Sequence, residues 1–254
     1  MSYAVCIVPV SPIRLRADHR EEMVSQVLFG ETLKVFETDK YGWMHIETAV
    51  DNYTGFCRSN QFIILQQPLQ HLKEYSGDWV SEIKVNDQRL MIPFGSDLSL
   101  LSANIPGTTI SFEGNIYNAS RPDISTANIL KLSSIFLNTA YLWGGRSVFG
   151  IDCSGFVQSV FKMLNVPLSR DAKQQVSAGE AIGFLQEVVC GDLAFFDDER
   201  GDIVHVGILL SSAEIIHASG MVRIDAIDSE GIINGTTKKR THRLRIIKRV
   251  IPSP

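Results

Sequence analysis

Gly150-Ile151-Asp152-Cys153-Ser154-Gly155-Phe156-Val157 is the stretch from which the rest of the chain is read. Asp152 is a residue type that closes helix N-termini, and an apolar pattern of Phe156, Val157, Val160, Phe161 and Leu164 begins directly behind it. The spacing predicts a helix that starts at Cys153 and stops at Asn165-Val166-Pro167. Gly144, Gly145 and Gly150 mark the preceding segment as a loop with special backbone geometry. A cysteine in the first turn of a helix lies in the field of the helix dipole, beside N–H groups that lack intrahelical partners, and both favour the thiolate. A small core thiol is the bland alternative, and the polar flanks Asp152 and Ser154 argue against it. Cys153 is the candidate nucleophile, and the same N–H groups offer part of an oxyanion hole.

A nucleophilic thiol needs a base. Among six histidines, His205 and His217 stand apart because the strands 204–210 and 214–218 read as a hairpin centred on Ser211. That register sets His205 directly opposite His217 on one face of the sheet. One imidazole then serves as base toward Cys153 and the other orients it. Two polar residues on a half-exposed strand are the plain alternative. A zinc site is a third, with no carboxylate at convincing spacing to complete it.

Working outward, Ile129, Leu132 and Phe136 predict an amphipathic helix over residues 125–139, and a short helix is expected over 171–178. Strands are expected at 193–196, 204–210, 214–218, 222–225 and 244–250. Helices first and strands after define an α+β domain rather than a βαβ array. Upstream, residues 1–66 read as short strands (32–37, 43–47, 55–58) separated by Asp39-Lys40-Tyr41-Gly42 and Asp51-Asn52, the pattern of a small β-barrel. Gln66-Gln67-Pro68 is a linker, and strands are expected again at 79–85, 89–93 and 108–112, with a hairpin turn at Asn86-Asp87. The expected domains are 1–66, 67–114 and 115–254.

Composition sets the outer bounds. With 44% apolar and 20% charged residues in 254, the chain has material for a core and does not read as disordered. A formal net charge of -4 argues against a nucleic-acid partner. The one dense basic run, Lys238-Lys239-Arg240 continuing through Arg243, Arg245, Lys248 and Arg249, is read as an exposed loop and a charge-guarded edge strand. None of the four cysteines forms a C-x-x-C pair, and Cys6, Cys57 and Cys190, among apolar neighbours, are expected to be buried free thiols. No run of about 18 apolar residues predicts a membrane span. The stretch Met1 to Val10 lacks a positive n-region and a small-residue cleavage site, so the expected location is cytoplasmic, given Met1 as the native start.

Asp152-Cys153-Ser154-Gly155-Phe156-Val157, His205-Val206-Gly207-Ile208 and Ile216-His217-Ala218-Ser219, in that order, resemble the NlpC/P60 family of papain-like cysteine peptidases, over roughly residues 125–250. The resemblance implies a catalytic set of Cys153 as nucleophile, His205 as base and His217 as orienting residue, with no metal and no organic cofactor. Gly191-Asp192-Leu193-Ala194-Phe195-Phe196 resembles the family's strand before the catalytic histidine. Leu28 to Val35, Gly42 to Ile46 and Gly55-Phe56-Cys57 resemble a bacterial SH3-like domain, and 67–114 is expected to be a second, divergent one. This layout resembles the γ-D-glutamyl-L-diamino acid endopeptidases, which act on murein peptides with a free N-terminal L-Ala. The resemblance then points to Glu22, in Glu21-Glu22-Met23-Val24-Ser25-Gln26, and to Tyr53, in Asp51-Asn52-Tyr53-Thr54-Gly55-Phe56, as groups near the substrate amine. A charged loop residue and a strand-end aromatic are the bland readings of those two. Tyr141, Trp143 and Ser154 are expected to line the pocket, and Asp152 to pair with the substrate ammonium. Arg170 and Asp171 are site-wall residues or a helix start, and Ala172 stands where the family commonly has serine. An amidase or acyltransferase on the same fold, and a non-catalytic peptide-binding protein, are the competing readings.

Overall fold

The strand Ser2–Cys6 shows how the first part of the chain is built. Its side chains alternate, so Ala4 and Cys6 enter one apolar cluster, with Ile13, Val27, Leu33, Met44 and Ile46, while Val5 enters another, with Phe29, Ile83, Ile92, Leu98 and Leu100. A strand buried on both faces reads as a continuous apolar run, as this one does. In the computed structural model, which describes residues 2–251, the chain forms two compact units. One comprises residues up to Pro122 together with Trp143–Phe149, and the other comprises Asp123–Leu142 and the chain from Gly150 onward. The sequence division had grouped 115–122 and 143–149 with the catalytic domain.

In the first unit an antiparallel sheet runs in the order Met23–Leu28, Val10–Arg14, Thr54–Arg58, Trp43–Thr48, Thr32–Thr38, Ser2–Cys6, Phe62–Leu65. Asp39 makes the first expected turn, its carboxylate accepting from the N–H groups of Tyr41 and Trp43. The hairpin Val80–Val85 to Gln88–Pro93 turns on Asn86-Asp87 as expected, with Asn86 at a φ of 52°, a conformation asparagine tolerates. Arg146, from the Trp143–Phe149 segment, is fully buried in this unit. It forms a two-pronged ion pair with Glu31 (2.9 and 3.1 Å) and donates to the Gln26 carbonyl.

The second unit carries few helices: α1 (Thr126–Ser134), α2 (Cys153–Met163) and α3 (Ala172–Gln175). Its sheet is not the open sheet that the sequence suggested. Leu193–Asp197, Ile203–Leu209, Glu214–Ser219, Met221–Asp228, Gly231–Ile233 and Arg240–Arg249 pair in succession, and the last returns to the first, closing a six-stranded antiparallel barrel. Arg240–Arg249 is therefore no edge strand. It is paired on both sides, and its basic residues find local acids: Arg243 with Asp197, Arg240 with Asp228, Arg249 with Asp192. Alternate side chains fill the barrel, with Ala194, Phe196, Leu209, Ile215, Ile227 and Ile247 in one apolar cluster. Residues of the opposite parity, Phe195, Val206, Ile208, Ile216 and Ala218, are also fully buried, and α2 packs on the strands that carry the last four.

Candidate active site

Asp152 caps α2 as its sequence implied, accepting the Gly155 N–H at 2.7 Å. It does more than cap. Arg170 meets it through both nitrogens, Nη1 to Oδ1 at 3.0 Å and Nη2 to Oδ2 at 2.5 Å, and both side chains are almost wholly out of solvent. Arg170 also donates to Ser154 Oγ at 2.9 Å. Asp152, expected to take a substrate ammonium, is thus matched by a cation of its own unit. Gln175 fastens the arrangement by donating to the carbonyls of Ser154 and Ser169.

Cys153 lies at the first position of α2 and is 6% exposed. Burial, and next the Asp152 charge, push its thiol up to about 11, against the Val206 and Ser154 amides and the Arg170 charge. The helix-tip field expected to ionise the sulfur is thus outweighed by desolvation, and the resting group is a neutral thiol. The Val206 amide places the sulfur beside the strand that carries His205. Tyr141 is half-buried, and its hydroxyl is pushed up to about 12, by burial first and then by Cys153 and Asp152. The segment that presents it is pinned from two sides, the Tyr141 N–H donating to the Gly220 carbonyl and the Leu142 N–H to that of Ile151.

The imidazoles meet, though not as the sequence suggested. The hairpin register pairs His217 with Gly207, so His205 lies diagonal to His217 rather than opposite. Both rings still share a face, and His205 Nε2 reaches His217 Nδ1 at 2.9 Å. Gly207 makes the room, since a β-carbon there would sit 2.9 Å from His217 Cβ and 2.7 Å from Ile215 Cδ1.

Two further side chains complete the cluster, and sequence reasoning missed both. Asp225 accepts from His217 Nε2 at 3.1 Å and is itself held by Arg223 and by the Gly235 N–H. His242 stacks on His205, ring centroids 4.1 Å apart at 25°. Burial above all drives the His205 pKa well below the usual imidazole value, with His242 and His217 adding to the effect. His217 is lowered by burial against the pull of Asp225, and His242 falls to about 4, again mainly by burial. The three rings are therefore neutral near pH 7. Their nearest nitrogens lie within 4.8 Å of one another. A shared ion about 2 Å from each nitrogen needs converging in-plane lone pairs. Those of the stacked His205 and His242 run nearly side by side, so the cluster suits hydrogen bonding better than chelation.

The remaining predicted residues lie in the first unit. Glu22 is exposed and accepts from Trp143 Nε1 at 2.5 Å, and Trp143, 61% exposed, is not a core residue. Tyr53 is partly buried, and its N–H donates to Thr48 Oγ1. All four cysteines are free, Cys190 being half-exposed rather than buried as expected.

A thiol at a helix start, packed beside the strand of one of two buried, hydrogen-bonded imidazoles, is an arrangement suited to thiol peptidase chemistry. Comparison with known proteins places the chain more closely. The NlpC/P60 family model matches residues 138–241, and a bacterial dipeptidyl-peptidase SH3 domain model matches 13–62. A γ-D-glutamyl-L-lysine dipeptidyl-peptidase of Bacillus subtilis is 40% identical over 216 residues, covering 76% of this chain and 71% of its own. Dipeptidyl-peptidase 6 of Lysinibacillus sphaericus is 25% identical over 89% of this chain and 92% of its own. The fold matches that of an NlpC/P60 family protein from Bacillus cereus with a TM-score of 0.79 at 18% identity, over 99% of this chain and 100% of that one. The chain belongs to the NlpC/P60 family.

Proposed function

We propose that this peptidase hydrolyses the bond between γ-D-Glu and the diamino acid of murein-derived peptides whose N-terminal L-Ala is free. The observation that carries the chemistry is the Cys153 sulfur beside the strand of His205, whose ring is neutral and hydrogen-bonded to His217. The name of the Bacillus subtilis relative, a γ-D-glutamyl-L-lysine dipeptidyl-peptidase, supports the substrate class. His205 removes the thiol proton as Cys153 attacks the γ-glutamyl carbonyl, because a buried thiol is too weak an acid to ionise first. N–H groups at the start of α2, which have no carbonyl partner within the helix, receive the developing oxyanion. His205 then protonates the leaving amine, and water resolves the thioester. His217 orients His205, Tyr141 and Ser154 line the nucleophile's surroundings, and Glu22 and Tyr53 act in recognition of the substrate amine.

Incubation with L-Ala-γ-D-Glu-diaminopimelate, followed by mass spectrometry, tests this reading. L-Ala-γ-D-Glu and free diamino acid are the expected products, with none from Cys153→Ala, and Glu22→Gln is expected to raise KM more than it lowers kcat. Turnover of intact muropeptide with none of the free tripeptide would reject the substrate and point to an amidase. Unchanged biological effect of Cys153→Ala would point to a binding protein.

A further inference from the structure

Asp225 is 3% exposed and no sequence motif marked it, yet it ends an unbroken line of hydrogen bonds that runs to His205. We propose that Asp225 is a positioning residue that sets the tautomers of both histidines and thereby leaves His205 Nδ1 as the only nitrogen able to take the thiol proton. The inference rests on the reading of His205 as base.

The direction of the line follows from which groups can donate. Asp225 is held below the usual carboxylate range, burial being outweighed by the Gly235 N–H, His217 and Arg223. An ionised carboxylate only accepts, so the proton between Asp225 Oδ2 and His217 Nε2 belongs to the imidazole. A neutral imidazole carries one N–H, which leaves His217 Nδ1 bare. The 2.9 Å contact between His217 Nδ1 and His205 Nε2 then requires the proton on His205 Nε2. His205 Nδ1 keeps its lone pair. When the Cys153 proton moves to it, both ring nitrogens of His205 become donors, and the new charge is met by His217 Nδ1, whose ring is in turn backed by a carboxylate.

The charged and titratable neighbours of this line do not compete as acceptors. The charged and titratable groups against this line are Arg223, on the far side of Asp225, and His242, stacked face-on to His205. Arg223 only donates, and the stacked ring offers its face rather than a lone pair. Arg223 reaches both oxygens of Asp225, Nη2 at Oδ1 and Nε at Oδ2, each at 2.9 Å; the Gly235 N–H adds to Oδ1 and His217 Nε2 to Oδ2, so the carboxylate is fixed in place where it meets the ring.

The test is the tautomeric state itself, read by long-range nitrogen-15 NMR of the imidazoles in the full-length protein. In the wild type, His217 and His205 are both expected as Nε2–H forms. In Asp225→Asn, the amide can turn its NH2 toward His217, and both rings are expected to move toward the Nδ1–H form. The expected loss in kcat is about 10^2- to 10^4-fold, with KM within about threefold, the pattern of a base held in the wrong tautomer. A wild-type spectrum with His217 as the Nδ1–H form overturns the proposal even if no variant folds. So does an Asp225→Asn protein of full kcat, or one whose histidine tautomers are unchanged while activity falls. If Cys153→Ala stays active, the catalytic reading fails, while the wild-type spectrum still decides the hydrogen-bond line separately.

Discussion

The Asp152–Arg170 pair allows a test in which two neighbouring substitutions must act in opposite directions. With its thiol at about 11, Cys153 is ionised to only about one part in 10^4 at pH 7. Asp152 raises that value and Arg170 lowers it. Asp152→Asn removes the anion while keeping a side chain that caps helices equally well. The guanidinium is left unmatched in a buried site, which costs about 3–5 kcal/mol of stability. The same unmatched cation favours the thiolate, and one charge at this range moves a neighbour's titration by about a unit or more. Arg170→Met leaves Asp152 unmatched, with a similar cost in stability and the opposite effect on the sulfur. The assay is iodoacetamide alkylation of Cys153 at pH 8, followed by peptide mass spectrometry so that the other three thiols do not interfere, with urea unfolding in parallel. Relative to wild type, the rate should rise by about tenfold or more in Asp152→Asn and fall in Arg170→Met. If both variants become more reactive, the change is exposure of a loosened helix and the electrostatic account is refuted. Unchanged reactivity in both would refute it as well.

Two further predictions concern the imidazole cluster. Gly207→Ala would put a methyl group within 3 Å of both His217 and Ile215, so kcat should fall tenfold or more, with a stability loss of about 1–3 kcal/mol measured by urea unfolding. Because the folded pKa values of His205, His217 and His242 lie below the unfolded value, the unfolded chain binds protons first as pH drops. Stability is thus fully present above about pH 6.5 and lost as pH falls toward about 4, by about 1–2 kcal/mol for the partly exposed His242, which urea midpoints at pH 7 and 4.5 will show reduced in His242→Phe.

What the sequence disclosed depended on how far apart in the chain the partners lay. The cap and α2, with Cys153 at its first position, could be read from a dozen consecutive residues, since Asp152 and the apolar period behind it are local signals. The hairpin of His205 and His217 was legible in existence and face but not in register. The turn lies one position beyond Ser211, a shift that moves the opposite partner by two and keeps parity. Asp225 was within reach of the same logic. A tight turn at Gly220 pairs Ser219 with Met221 and His217 with Arg223, so Asp225 falls on the His217 face. His242 was hidden by its company, because a run of arginines and lysines reads as solvent-facing. Only the closed barrel, which pairs Arg240–Arg249 with Leu193–Asp197 on one side and Gly231–Ile233 on the other, turns alternate residues of that run inward. Closure is a long-range event with no local signature.

The neutral state of the site explains why so many polar groups are buried around one sulfur. A pre-formed thiolate would need a permanent cation to hold it, and the nearest one, Arg170, is already taken by Asp152. In the proposed mechanism the charges of the reaction therefore appear together, negative on the attacked carbonyl oxygen and positive on His205, as the proton leaves sulfur. In a buried site, a pair created at the moment of attack is stabilised chiefly by dipoles already aimed at both ends. At one end, in the proposed mechanism, these are amides at the start of α2. At the other they are His217 and the carboxylate of Asp225, fixed by Arg223 and the Gly235 amide. Burial that raises the thiol and lowers the imidazole is then the condition under which this arrangement acts most strongly, since the same low dielectric that opposes resting charges strengthens every interaction with the charges of the transition state.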